Sequence, residues 1–194
     1  EQPYVPTGNA ILMEGQEPED IMPPEEDTQE LTLAYDPTRS MNPLIGYSQN
    51  NRVLFSLMYQ PLFAVSSSYE AVPILCSAFQ VAPSNMIYTC YLEPSARFSD
   101  GSPVTAEDVI ASYQHAMEND YYSARFKYYL AEVKLSSDGT GVSFMLTTPY
   151  ENFLLLLDIP IVKQGQTEDS KPVGTGPYVL QDAAEGLELV LRED

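Results

Sequence analysis

Apolar and polar positions alternate in short runs along most of this chain, and one stretch keeps a long helical period. In "ELTLAY", Leu31, Leu33 and Tyr35 share a face, which predicts a strand ending at the Asp36-Pro37 turn. A helix is expected from about Gln49 to Tyr59, with Val53, Leu54, Leu57 and Met58 as its apolar side. "PILCSAFQVA" and "MIYTCYLE" read as a hairpin around Pro83-Ser84-Asn85, and "AEVKLSS" and "GVSFMLTT" as a second around Asp138-Gly139. "SARFKYYL" and "YENFLLLLD" read as short helices and "IPIVK" as a strand. "GTGPYVL" opens a last strand that pairs with "LELVLRED" across Ala183-Ala184-Glu185-Gly186. Hairpins mixed with separate helices point to an α+β class.

The helical period starts after "FSDGSPVTAEDV". Asp100-Gly101 is a turn dipeptide, since glycine accepts positive φ without steric cost. Thr105 is placed to accept from a free N–H of the first helical turn. Glu107 and Asp108 set negative charge at the positive end of the helix dipole. From there Val109, Ile110, Tyr113, Ala116 and Met117 recur at helical spacing. These residues describe a turn and a capped helix, so Asp100, Glu107 and Asp108 are structural rather than catalytic.

Charge changes the picture of partners. The formal net charge is −19, from 28 acidic and 9 basic residues. Such a surface repels phosphate, which disfavours nucleic acid and anionic membranes. Residues 1–29 hold five prolines and eight acidic residues with no Lys or Arg, and read as an extended linker or tail. The apolar run Phe153 to Leu157 is too short to span a bilayer.

Candidate chemistry is sparse. His115 is the single histidine, on a helix, and no G-x-S-x-G elbow accompanies it, so no Ser-His-Asp set is formed. Gly174-Thr175-Gly176 lacks the spacing of a phosphate loop and reads as a tight turn into a strand. Two cysteines and one histidine at these separations make no metal-ligand spacing, so no metal and no cofactor is expected. Cys76 and Cys90 flank the first hairpin turn, and its register sets them diagonally on one face. That stretches a disulfide, and two readings stand: a disulfide, or two buried small apolar residues. The 14 tyrosines include Tyr121-Tyr122 and Tyr128-Tyr129, which serve either a binding surface or packing.

The string "FSDGSPVTAEDV" resembles the signature of the extracellular solute-binding proteins, family 5, of peptide and nickel ABC transporters. "LTLAYDPTRSMNPL", "VLFSLMYQPLF", the block from "VPILCSAF" to "RFSDG", and "PVGTGPYVL" resemble further family segments in the same order, over about residues 30 to 194. In the family's "LAESW" segment Cys76 stands at the Ala and Phe79 at the Trp, and Cys90 replaces a usual aromatic further on. The resemblance implies a type II periplasmic-binding-protein fold of two lobes around a cleft, of which this chain would be the N-terminal portion, without lobe II. Residues 30–45 and 172–194 would be pieces of lobe I, and 46–171 its extra subdomain.

By the same resemblance, Tyr47, Ser48 and Gln49 match the cleft-facing loop, and Arg125 and Phe126 a second contact region. The family often has a carboxylate near position 47, from which Tyr47 departs. The implied function is non-enzymatic: the substrate-binding component of an ABC importer for oligopeptides or dipeptides. Its partners would be a peptide or similar small solute and an ABC permease, with the membrane reached only through an upstream lipid anchor. The implied location is extracellular, as a cell-surface lipoprotein or in the periplasm. The alternative is a structural or interaction module that retains part of the fold without transport.

Overall fold

Both expected hairpins form and join into one sheet. In the computed structural model, which describes residues 33–46, 48–183 and 186–192, strand β3 (Cys76–Val81) pairs antiparallel with β4 (Ile87–Leu92). Strand β5 (Leu130–Leu135) pairs antiparallel with β6 (Gly141–Leu146), and β4 with β6, giving the order β3-β4-β6-β5. The turns are those the residues dictate. Asn85 (φ 54°) and Gly139 (φ 73°) take left-handed conformations. Asp138 Oδ1 accepts from the Ser136 hydroxyl and from the Thr140 backbone N–H at 3.0 Å.

Side chains that face each other across an antiparallel ladder share a face. Tyr88, Cys90, Val133, Val142 and Phe144 thus form one apolar side, and all are buried. On it lies helix α2 (Ala106–Glu118), whose buried Val109, Tyr113 and Ala116 come from the predicted period. Tyr113 meets Phe144 edge-on at 4.9 Å and Phe126 at 5.8 Å, and Phe153 joins Phe144 at 5.7 Å. The opposite side of the sheet is more polar, with Thr89 and Ser143 hydroxyls 2.9 Å apart across β4 and β6.

Helix α1 (Arg52–Met58) is shorter than expected, and it buries Leu54, Phe55 and Met58. Val53, assigned to the apolar side from its spacing, is 52% exposed. The face is set instead by Tyr59, whose hydroxyl is shared between the carbonyls of Met41 (3.0 Å) and Pro172 (2.9 Å). A small hairpin that the pattern did not announce follows: β1 (Phe63–Val65) with β2 (Ala71–Pro73). Helix α3 (Ser123–Phe126) lies within "SARFKYYL". "YENFLLLLD" yields only a 3-10 turn, Phe153–Leu156. The last hairpin, β7 (Tyr178–Ala183) with β8 (Gly186–Leu191), forms as read.

Two expected strands are absent. Ile159, Ile161 and Val162 are fully buried, but the segment makes only an isolated bridge at Pro160 with Pro61. Proline donates no amide, and the Val162 N–H goes to the Ser112 hydroxyl at 2.9 Å, so no ladder can propagate. Leu33 and Tyr35 pack against the core, yet 33–36 forms no strand: no partner strand lies beside it among the described residues. Leu31 and the tail assigned to 1–29 lie outside the described residues. Among those described, no helix is long and apolar enough to cross a membrane.

Candidate functional site

The segment Ser40–Asn51 is a loop held by polar side chains rather than by a ladder. Asn42 is fully buried: its Nδ2 donates to the carbonyls of Thr167 (2.8 Å) and Asp169 (2.9 Å), and its Oδ1 accepts from Leu44 N–H (2.9 Å). Asn51, also fully buried, pins the other end through Asp36, accepting its N–H at 2.6 Å and donating to its carbonyl at 3.1 Å. Buried amides with both ends satisfied fix a loop in one conformation. This accounts for Asn42 in "SMNPL": its amide supplies two N–H donors and a separate carbonyl acceptor, which a hydroxyl cannot.

Between these anchors in the chain stand two of the residues singled out by resemblance, Ser48 and Gln49. Ser48 is half-buried and Gln49 exposed, in the turn that leads into α1, where Ser48 O accepts from Asn51 N–H at 3.1 Å. Tyr47 lies outside the described residues. Arg125 and Phe126 belong to α3. The Arg125 guanidinium donates to Asp158, with the two side chains 30% and 34% exposed. Phe126 is 1% exposed and packs into the core against Tyr113. Phe126 thus holds α3 down, while Arg125 keeps an accessible charge beside a carboxylate.

The two regions are joined through the loop. At the end of α2, Asn119 Nδ2 donates to Leu44 O at 2.6 Å, and the Tyr122 hydroxyl donates to Pro43 O at 3.2 Å. The start of α3 therefore grips the loop a few residues before Ser48. Asn119 carried no site signal in the sequence and Tyr122 only that of its tyrosine cluster, because their role is a contact across 75 and 79 residues of chain. The tyrosine cluster divides accordingly. Tyr122 is buried, and Tyr129 stacks on Tyr150 at 4.3 Å. Tyr121 and Tyr128 are 45% and 69% exposed.

The remaining motifs are structural. Asp100 Oδ1 accepts from Ser102 N–H (3.0 Å) and its hydroxyl (2.6 Å), while Oδ2 takes the Lys163 ammonium at 2.6 Å. The Lys163 and Ser102 bonds hold its carboxyl down at about 2. Gly101 has φ 81°, as the turn requires. Thr105 and Asp108 form a reciprocal capping box, Thr105 N–H to Asp108 Oδ2 at 2.7 Å and Asp108 N–H to Thr105 Oγ1 at 3.4 Å. The Arg192 guanidinium reaches the turn, donating to Arg97 O (3.1 Å) and Phe98 O (3.2 Å). His115 Nδ1 lies 3.1 Å from Glu168 on the surface.

Gly174-Thr175-Gly176 presses on the end of α1. Gly176 N–H donates to Met58 O at 2.8 Å, and Gln60 N–H donates to Thr175 Oγ1 at 2.9 Å. A Cβ on Gly174 would come within 2.0 Å of Met58 O. The glycines are there for close approach of two backbones, and the Gly176 amide is spent on Met58 O rather than left for a phosphate.

Residues 70–194 match the family model of bacterial extracellular solute-binding proteins, family 5 Middle. Protein XP55 of Streptomyces lividans is 32% identical over 164 residues, covering 79% of this chain and 30% of its own. The glutathione-binding protein GsiB of Salmonella typhi is 28% identical over 134 residues, covering 63% of this chain and 26% of its own. Among solved structures, the oligopeptide-binding protein AppA of Bacillus subtilis, in complex with a nonapeptide, superposes with a TM-score of 0.64 at 19% identity, over 77% of this chain and 33% of its own. The chain spans about a third or less of the length of these relatives. The described residues have the mixed α+β fold of part of a type II periplasmic binding protein.

Proposed function

Since the chain belongs to the bacterial extracellular solute-binding proteins of family 5, we propose that it forms part of the substrate-binding component of an ABC importer for oligopeptides or dipeptides. The family match over residues 70–194 carries this reading. The named ligands of two relatives, glutathione and a nonapeptide, favour peptides within the family's range. In this reading the protein binds reversibly and catalyses nothing. It works outside the cytoplasmic membrane, in the periplasm or on a lipid anchor, and hands its solute to an ABC permease.

The ligand meets the loop at Tyr47, Ser48 and Gln49. Hydroxyl and amide side chains suit the donors and acceptors of a peptide backbone. Arg125, with Asp158 beside it, offers a charge of each sign to the ends of a zwitterionic peptide, and Phe126 fixes the helix that carries Arg125. Residues 46–171 act as the extra subdomain and 30–45 with 172–194 as pieces of lobe I. The close seat of Gly174 and Gly176 on Leu57 and Met58 supports this division, with α1 as the joint.

Isothermal titration of the full-length protein with glutathione and a set of short peptides tests the proposal. Saturable heat is expected with at least one peptide. Replacing Ser48 and Gln49 by Ala together should weaken it about tenfold, or ~1.4 kcal/mol, at unchanged melting temperature. No heat with any peptide overturns the peptide reading, and unchanged affinity in the double variant overturns the site.

A further inference from the structure

Cys76 and Cys90 have no part in the function above. Strands β3 and β4 pair regularly from Val81↔Tyr88 to Ala78↔Tyr91. Continued one step further, that register would set Ser77 opposite Leu92 and leave Cys76 on the outer side of the sheet, away from Cys90. It does not continue. A bulge at Ser77 shifts the pairing so that Cys76 opposes Leu92. The shift of one residue turns Cys76 to the inner face, diagonal to Cys90, which lies two residues along β4 from Leu92. The bulge is held by the Ser77 hydroxyl, which sits 3.2 Å from Tyr91 O and 3.0 Å from Leu92 O. Both cysteines are buried, at 3% and 0% exposure, as free thiols, and the Cys76 thiol donates to Ala78 O at 3.0 Å.

We propose that Cys76 and Cys90 are a disulfide site, joined covalently across β3 and β4 when the protein folds in an oxidising compartment. The bulge supplies what the regular register withholds: two buried cysteines on the same face of adjacent strands, near enough for the flexible side chains to bridge the diagonal. The oxidant is a disulfide-bearing small molecule or oxidoreductase. The Cys76 thiolate attacks one oxidant sulfur, the oxidant's S–S bond breaks, and one oxidant thiolate leaves. Cys90, after losing its proton to solvent, attacks the Cys76 sulfur of the mixed disulfide. The Cys76–Cys90 bond forms and the second oxidant sulfur leaves as a thiol. Two protein thiols are oxidised and one disulfide is reduced. Burial of both sulfurs places the reaction before the sheet closes over them.

The extracellular location in the function above provides the compartment, but the chemistry does not depend on peptide binding, so the test runs on the protein alone. The chain is unfolded in urea with its thiols reduced and refolded in glutathione buffers of graded redox poise. It is then denatured, alkylated and weighed by intact mass spectrometry. The expected result is a loss of both alkylation sites together as the buffer becomes oxidising, with a Cys76–Cys90 linked peptide in the digest. Single C76S and C90S variants should each keep one alkylatable or glutathione-capped sulfur under the same conditions. Two alkylatable or two separately glutathione-capped thiols in the refolded wild-type chain, at excess glutathione disulfide, overturn the proposal.

Discussion

Asp108 Oδ1 accepts the backbone N–H of Gln164 at 2.7 Å, tying the start of α2 to a loop 56 residues away. The other oxygen of the same carboxylate closes the capping box on Thr105. One side chain of the "VTAED" segment thus does two things, and only the local one is readable from its neighbours. Asp108→Ala leaves the Thr105 and Gln164 amides without acceptors. A loss of about 2–4 kcal/mol is expected from the cap and a buried charge-assisted bond together. Asp108→Asn, which retains one acceptor oxygen, should lose about half as much. Urea unfolding of both variants measures it, and equal small losses would show that the carboxylate is dispensable.

Acid sensitivity should trace in part to Asp100, together with Asp138, whose carboxyl the Ser136 and Thr140 bonds hold down in the same way. The folded-state pKa of Asp100 is depressed, to about 2, from the ordinary 3.8. The unfolded chain therefore binds more protons between these values, and stability is full above pH ~4 and falls as pH drops towards about 2. Lys163→Met or Asp100→Asn should flatten that part of the stability–pH curve relative to the wild type. Because the pair is about one-third exposed, high salt should flatten it as well. Thermal melts from pH 5 to pH 2 (roughly the carboxylate range) read the difference. Parallel curves would count against the assignment.

Gly176 should tolerate no side chain. A Cβ there meets Leu57 O at 2.2 Å and Met58 C at 2.5 Å, both backbone, so α1 or the strand after it must move. Gly176→Ala is expected to cost about 2–4 kcal/mol by overpacking. Gly165→Ala is the control: the space around it is open, and only its φ of +84° opposes the change, at about 1 kcal/mol. Denaturant midpoints of the two variants should rank in that order.

Tyr113 carries a hydroxyl into the core without gain. The ring is fully buried between Phe126 and Phe144, and the hydroxyl has no hydrogen-bond partner among the described residues. Burial pushes its pKa well above the ordinary 10, so it stays neutral. Tyr113→Phe should be neutral or stabilising by up to ~1 kcal/mol, whereas Tyr113→Ala should cost ~3–5 kcal/mol through the cavity it leaves. A destabilised Phe variant in thermal melts would show that the hydroxyl has a partner.

The elements that were legible are those in which period and punctuation agree. Thr105 with Asp108 marks the start of α2, and Asp138-Gly139 and Asn85 mark hairpins whose strands follow directly. The misread elements lack one of the two. "IPIVK" has a strand's composition, but Pro160 removes the donor a ladder needs. Val53 has the right spacing, but the orientation of α1 follows Tyr59 and its bond to Pro172, 113 residues away. For the site, Ser48, Gln49 and Arg125 came from resemblance to a family. Asn42, Asn51, Asn119 and Tyr122, which hold that loop in shape, are ordinary polar residues until their partners are known.

The sequence alone determined the local vocabulary of this protein: a capped helix after an Asp-Gly turn, three hairpins, an acidic surface and membership of a solute-binding family. These follow from contacts within a few residues, which neighbouring side chains and backbone preferences specify. Tertiary structure decided which face each element shows and what each polar group holds. The bulge at Ser77 puts Cys76 beside Cys90, Asn42 finds the carbonyls of Thr167 and Asp169, and Gly174 and Gly176 find the end of α1. Such pairings form between residues far apart in the chain. They depend on the packing of the whole sheet and its helix, and no short stretch of sequence contains them.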